Sequence, residues 1–360
     1  MEDGSASNHD SVKGSDCFYH LLVLLRVYFI IYDKYQMKKV PNITVEEMIT
    51  IQSTNQEEKI AVSRVLGKYS QGKKGPALVI TAGVHGNEPS GIYAFRRVWQ
   101  TLTQMNLPFK GELTGLAGNM AALSQNVRLI DKDLNRVCYI ENENKLKAGV
   151  DLGYHESFEF KALVEEFEKA QHEGISELFF LELHTTSSAS QPYISVNRDS
   201  GSFRFAKNFP LFIVKGIEDY IPGHVDYYLN HKGHKGVTIE AGQHDSAEAI
   251  DNHEASLWLA LVAIGCLQKE DVVNYEQYFN TLKNYPTDSH TSFEVIYRYE
   301  IEEDELFQMN PGYKNFQKIS KGEILATSDG RNIVSEWDAR IFMPLYQAEG
   351  KDGFFVVQEC

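Results

Sequence analysis

The chain has 360 residues, enough to bury a sizeable core and to divide into more than one domain. Its 50 acidic residues against 35 basic ones give a formal net charge of -15, with no lysine or arginine block, which argues against nucleic-acid phosphates as partners. Cys17, Cys138, Cys266 and Cys360 are far apart, so neither a disulfide framework nor a thiolate zinc cage is expected, and a reducing, cytoplasmic location follows as the default.

Residues 1–16 are polar and rich in Ser, Asp and Gly, the composition of a segment without a packed core. The apolar run 17–32 is shorter than the roughly 20 residues of a membrane span and carries Arg26 at its middle. No small-residue cleavage site follows it, which disfavours a secretory signal. A helix on the body, a segment extraneous to a working domain beginning near Met37, and a membrane attachment all stay open. Residues 1–36 are therefore an N-terminal extension without an assigned role, and no membrane partner is expected.

Alternation over 60–66 reads as a strand, and Gly72, Gly75 and Pro76 turn the chain into the apolar run 77–80, a buried strand. Small residues follow, then His85 and Glu88. Pro89 opens a helix with Ile92, Phe95, Val98 and Trp99 on one face. Another strand is expected over 111–119, ending at Gly118 and Asn119, followed by the polar segment 127–136. An amphipathic helix over 156–171 carries Phe160, Leu163, Val164 and Phe167. The apolar strand 178–183 ends on His184, and 194–196, 211–214 and 237–240 read as shorter strands before a long helix through Leu257, Leu261 and Ile264. Strands alternating with helices from 60 to 265 indicate an α/β layer with a mostly parallel sheet. From Phe293 onward short alternating segments are broken at Pro311-Gly312, Gly322, Gly330 and Gly350, the punctuation of a small antiparallel β unit. The turn-rich break at 284–290 divides a region 37–285 from a β domain 286–360.

His85, Glu88 and His184 stand at the carboxyl ends of two buried strands, where open α/β sheets place their ligand sites. Catalytic zinc commonly takes three protein ligands, two imidazoles and a carboxylate among them. One histidine beside a strand is ordinarily structural; this set points to a metal. Glu182, on the same face of its strand as His184, is placed to fix a ligand tautomer, or is a lone carboxylate near a strand end. Glu240 ends the 237–240 strand, where a carboxylate can take a proton from an activated water, or cap the following loop. Arg128, Arg136, Asn135 and Asn119 supply groups for a substrate carboxylate and a developing oxyanion. Asp131 or Asp133 pairing with these arginines in a surface network is the plainer alternative.

The stretches Gly83 to Glu88, Asp133 to Arg136, Glu182 to Thr186 and Thr238 to Gly242 resemble, in order and spacing, the aspartoacylase and succinylglutamate desuccinylase family, relatives of the zinc carboxypeptidases. The resemblance spans residues 60–345. It implies a carboxypeptidase-like α/β fold, with a mixed, mostly parallel sheet flanked by helices and a small C-terminal β domain. It also implies one Zn2+ per chain and hydrolysis of an N-acyl amide to an amine and a carboxylate. By that resemblance His85, Glu88 and His184 ligate zinc, Glu240 is the general base, and Arg128 polarises the carbonyl. Asn135 and Arg136 grip the substrate carboxylate, and Asn119 matches a pocket position.

The family's further arginine before the Glu240 motif has no counterpart here: the region holds His231, Lys232 and His234 instead. The C-terminal segment also lacks the tyrosine that closes the aspartoacylase pocket, so N-acetylaspartate is not implied as substrate. Gln243, His244 and Asp245 are positions that shape another pocket. The expected partner is a small N-acyl amino acid, with self-association left open. The rival readings are a zinc carboxypeptidase acting on peptides, which cleft access decides, and a non-catalytic metal-binding protein, against which Glu240 argues.

Overall fold

The computed structural model describes residues 48–52, 59–244, 246–283, 291–347 and 350–360. The extension 1–36 with its apolar run, the break at 284–290 and Asp245 lie outside these residues. A short antiparallel ribbon, β1 (Ile49–Ile51) with β2 (Ile60–Val62), comes first. The strand expected over 60–66 is divided. Arg64 turns inward onto the carbonyls of Ala117 and Gly118 and the carboxylate of Glu159, and the chain restarts as β3 (Val65–Ser70). An inward guanidinium breaks the alternation that a continuous strand needs.

The α/β part then runs β4 (Gly75–Ala82), α1 (Ser90–Met105), β5 (Glu112–Ala117), α2 (Met120–Gln125), α3 (Ile140–Lys147), α4 (Glu156–Lys169) and β6 (Ile175–Thr186). It continues through β7 (Tyr193–Val196), α5 (Ser200–Ala206), β8 (Phe212–Lys215), α6 (Val225–His231), β9 (Lys235–Gln243), α7 (Glu248–Ala263) and α8 (Tyr275–Lys283). Residues 127–136 form a loop closed by a 3-10 turn, Leu134–Arg136. The C-terminal part is all β: β10 (Ser292–Glu300), β11 (Phe307–Met309), β12 (Lys318–Ile319), β13 (Ile324–Ser328), β14 (Arg331–Val334), β15 (Ala339–Phe342) and β16 (Asp352–Glu359).

Eleven strands make one sheet in the order β12-β15-β16-β10-β8-β7-β9-β6-β4-β5-β3. Its central strands are mostly parallel, with antiparallel steps at β7–β9 and toward both edges. The fold is the expected mixed α/β architecture, and its C-terminal β region extends the central sheet through the parallel pair β8–β10. β11, β13 and β14 form a separate three-stranded sheet.

The apolar run in β4 is continuous because both faces of the strand are covered. Leu78, Ile80 and Ala82 pack with Ile92, Phe95 and Val98 of α1 and with Leu257 and Leu261 of α7. Ala77 and Val79, pointing the other way, pack with Phe160, Leu163, Val164 and Phe167 of α4. Each fully buried Leu, Ile, Val or Phe among these contributes roughly 2 kcal/mol by area, so two helix layers pin the strand whose end carries the site.

Candidate metal centre and substrate cavity

Parallel register brings three strand ends to one rim. Ala82 pairs with Leu183 across β4 and β6, and His184 pairs with Glu240 across β6 and β9. Partnered residues point to the same face of a sheet, so His184 and Glu240 stand side by side. After β4 the chain turns at Gly83, whose φ of 70° favours glycine. Gly86 lies against α2: a Cβ there would sit 2.1 Å from the carbonyl carbon of Ala122. Its amide donates to the Arg128 carbonyl at 3.2 Å, tying the His85–Glu88 turn to the 127–136 loop.

His85, Glu88 and His184, all buried, converge with ligand atoms within 4.8 Å of one another, and the group can hold a metal ion. Glu88 presents one oxygen to each imidazole: Oε1 is 2.9 Å from His85 Nδ1 and Oε2 is 2.9 Å from His184 Nδ1. The Thr185 amide also donates to Oε2, at 3.0 Å. Behind the rings, His85 Nε2 donates to Asp133 Oδ1 at 3.0 Å and His184 Nε2 donates to Glu182 Oε1 at 2.7 Å. A carboxylate only accepts, so each ring, with a carboxylate at both nitrogens, either carries a second proton or turns an Nδ1 lone pair toward a cation shared with Glu88. Lone pairs and a carboxylate facing one another repel unless a cation lies among them.

The electrostatics agree. Burial would lower the His184 pKa, but Glu182 and Glu88 outweigh it and hold the imidazole well above its ordinary value. Burial would raise that of Glu88, and His85 and His184 hold it well below. The pocket therefore demands positive charge at this point. Two imidazoles and a carboxylate with outer carboxylates suit a nitrogen-preferring divalent ion.

Arg128 donates to Asp133 Oδ2 at 3.0 Å and stands 3.5 Å from Glu88 Oε1, beside the ion set. Asp133 thus bridges His85 and Arg128, beyond the surface pairing that the sequence offered for it. The loop carrying both is shaped by Glu156, which the sequence shows only as a polar position in an amphipathic helix. Its fully buried carboxylate accepts from the backbone amides of Ile130 (2.7 Å), Asp131 (3.2 Å) and Lys132 (3.0 Å) and from Asn119 Nδ2 (3.2 Å). Asn119 is itself fully buried, and its Oδ1 caps α2 through the Ala122 amide at 3.0 Å. Asn135 lies behind His184: Nδ2 donates to Glu182 Oε1 at 2.6 Å and Oδ1 accepts from the Val225 amide at 3.1 Å.

Glu240 is buried, and its Oε2 meets no hydrogen-bond partner among the described residues. Burial drives its pKa up to about 8, against the His184 imidazole and with the push of Glu88 and Glu182. A buried carboxyl pushed up toward neutrality beside a candidate ion site is able to exchange a proton there.

A cavity of about 1050 Å³ is bounded by Arg128 and Asp133, which contact Glu88 and His85, and by Arg136, Tyr139, Tyr154 and Tyr220; His85, Glu88, His184 and Glu240 themselves are not among its lining residues. The C-terminal β region contributes Arg298, Glu300, Lys351 and Asp352 to its wall. Asn119, His231, Lys232 and His234 are not in it. Lys232 reaches Glu143 at 3.1 Å, His231 Nδ1 lies 2.8 Å from the Tyr227 carbonyl, and His234 faces Gln171, so none of the three takes the place of the absent arginine at this cavity. His244 bonds Thr185 Oγ1 at 2.8 Å, away from the cavity wall.

The family model described as succinylglutamate desuccinylase/aspartoacylase catalytic domain matches residues 74–261, more than half of the chain. The chain belongs to the succinylglutamate desuccinylase/aspartoacylase family. This member is 39% identical over 115 residues to a probable aspartoacylase of Acaryochloris marina, a stretch covering 31% of this chain and 35% of that protein. It is 25% identical over 271 residues to an N-acyl-aromatic-L-amino acid amidohydrolase (carboxylate-forming) of Xenopus tropicalis, covering 69% of this chain and 83% of that protein. The crystal structure of succinylglutamate desuccinylase/aspartoacylase from Rhodobacter sphaeroides superposes with a TM-score of 0.61 at 14% identity, over 89% of this chain and 98% of that one, a likeness of fold. Among the described residues of this family member, no helix is long and apolar enough to cross a membrane.

Proposed function

We propose that the protein is a zinc-dependent amidohydrolase that cleaves the amide bond of a small N-acylated amino acid or similar carboxylated amide. The observation that carries this reading is the buried Glu240 carboxyl, its Oε2 without a partner among the described residues, in register with His184 beside the His85–Glu88–His184 set. His85, Glu88 and His184 would hold the ion, which when bound supplies Lewis acidity that acidifies water and polarises a carbonyl. Glu240 accepts the proton of the attacking water and returns it to the departing amine nitrogen. Arg128 donates to the carbonyl oxygen as that oxygen gains charge. Arg136 anchors the substrate carboxylate and fixes orientation. Asn135 acts behind the site, holding Glu182 and through it His184. Asn119 acts at one further remove, through Glu156 and the loop that bears Arg128.

The reaction region is assigned to residues 37–285, with Arg298, Glu300 and residues 350–352 of the C-terminal β region walling the cavity. Arg298, Glu300, Lys351 and Asp352 give that wall a charged lining suited to a carboxylated substrate. The cavity lies at the upper end of ordinary ligand pockets, and its three tyrosines favour an amide with a bulky or aromatic portion, as the name of the Xenopus relative describes for that protein. Free thiols at Cys138, Cys266 and Cys360 accord with a cytoplasmic location. The test is metal analysis of the purified protein, with hydrolysis of N-acetyl, N-succinyl and longer acyl amino acids, aromatic ones included, before and after chelation. Zinc at one ion per chain and activity lost on chelation are expected; full activity in metal-free protein refutes the reading.

A further inference from the structure

The cavity holds a carboxylate that this mechanism leaves without a task. Asp352, the first residue of β16, comes from 216 positions beyond Arg136 in the chain and meets it in the cavity wall. Its Oδ2 accepts from Arg136 Nη2 at 2.8 Å, and its Oδ1 accepts from Arg298 Nε at 2.7 Å. Arg298 is fixed in turn by the Tyr220 carbonyl at 3.1 Å and by the Glu300 carboxylate at 3.1 Å. The other terminal nitrogen of Arg136 donates to the Asn135 carbonyl at 2.8 Å. Side-chain exposure falls along this relay, from 31% at Arg136 to 18% at Asp352 and 13% at Arg298. The wet end is therefore the guanidinium assigned to the substrate, and the dry end is its support.

We propose that Asp352 is a positioning residue that clamps Arg136 before substrate arrives. This rests on the assignment of Arg136 as the carboxylate anchor. An arginine left alone at that exposure samples many rotamers, and ordering it on binding weakens the complex. The clamp engages one hydrogen on each terminal nitrogen, by way of Asp352 and the Asn135 carbonyl. Each of those nitrogens carries a second N–H, and Nε carries another, so a substrate carboxylate can dock while Asp352 keeps its hold. The two carboxylates, Asp352 and Glu300, balance the two guanidiniums, and Lys351 on the same wall adds the positive charge that suits this end of the cavity to one incoming negative charge. The rival arrangement, in which Asp352 occupies the substrate's own place and competes with it, has the opposite sign in binding.

The test measures binding and so needs no turnover. In the zinc-loaded Glu240→Gln protein, the affinities for N-acetyl-L-phenylalanine and for its C-terminal carboxamide are measured by calorimetry, with and without Asp352→Asn, Asp352→Glu and Arg136→Ala. Loss of one charge-assisted contact predicts that Asp352→Asn weakens the acid about tenfold and leaves the carboxamide unchanged. Asp352→Glu restores most of the affinity, and Asp352→Asn adds no further loss in the Arg136→Ala background. With Glu240 intact, the defect of Asp352→Asn falls on KM and spares kcat. Tighter binding by Asp352→Asn, an equal loss for the carboxamide, or a tenfold loss that persists without Arg136 overturns the clamp. A parent protein that does not distinguish acid from carboxamide removes Arg136 as anchor and the clamp with it. Metal-independent hydrolysis refutes the proposed reaction and leaves this binding comparison unmoved.

Discussion

Replacing Glu240 with glutamine removes a buried acid while keeping its shape, and two separate readouts follow. In the metal-free folded protein the carboxyl titrates at about 8, against 4.5 for an ordinary glutamate. Between those values the folded state keeps a proton that the unfolded chain has released, so rising pH favours unfolding by ~1.4 kcal/mol per pH unit. Below 4.5 both states are protonated and above 8 both are ionised, so the effect is confined to that window and sums to on the order of 5 kcal/mol. Glutamine carries no such linkage. Urea unfolding of chelator-treated protein, followed by tryptophan fluorescence at pH 5, 6, 7 and 8, should show the variant gaining stability over the parent with each step. Bound zinc should narrow the gap, because a cation favours the carboxylate. Hydrolysis by the zinc-loaded variant should fall by roughly 10²- to 10⁴-fold. A stability gap that stays flat across pH refutes the burial argument, and undiminished turnover removes Glu240 from proton transfer.

Asp133→Asn takes away the acceptor of the His85 Nε2 proton, and zinc affinity should drop about 10- to 100-fold in competition with a chromogenic chelator; an unchanged affinity counts against the tautomer assigned to His85. Glu156→Ala strands the amides of Ile130, Asp131 and Lys132 without their acceptor and should cost about 3 kcal/mol in urea unfolding. A loss under ~0.5 kcal/mol would mean that the loop shapes itself without Glu156. Lys232→Ala should leave KM within about twofold, since Lys232 faces Glu143 away from the cavity, whereas a large rise in KM would make it the substitute for the absent arginine.

The ion set was legible because each of its members sits in a local pattern. An unbroken apolar run can only be a strand covered on both faces, and both runs end within a few residues of the histidines. Once β6 and β9 are known to be parallel neighbours, Glu240 falls beside His184 by register alone. The surrounding residues were a different matter. Asp133 carries no local mark that tells a surface ion pair from a bond to His85, because that distinction lies in a contact 48 residues away. Glu156 occupies the first turn of a helix, where acidic residues are ordinary, and only the loop folded over it shows what it accepts. The division of the 60–66 strand hung on whether Arg64 points out or in, and period-two reading assumes that arginine points out. The amides of Asn119 and Asn135 bond to Glu156, Glu182 and Val225, contacts distant in the chain that no local pattern marks.

β16, last in chain order, is an interior strand, lying between β15 and β10. During synthesis β10 must therefore wait with one side unpaired until residues 352–359 emerge, a bare edge of the kind that recruits foreign strands. Nascent protein halted before that point would be expected to need a chaperone, and Asp352, at the leading end of the strand that closes the gap, would reach the cavity only when folding of the sheet is complete.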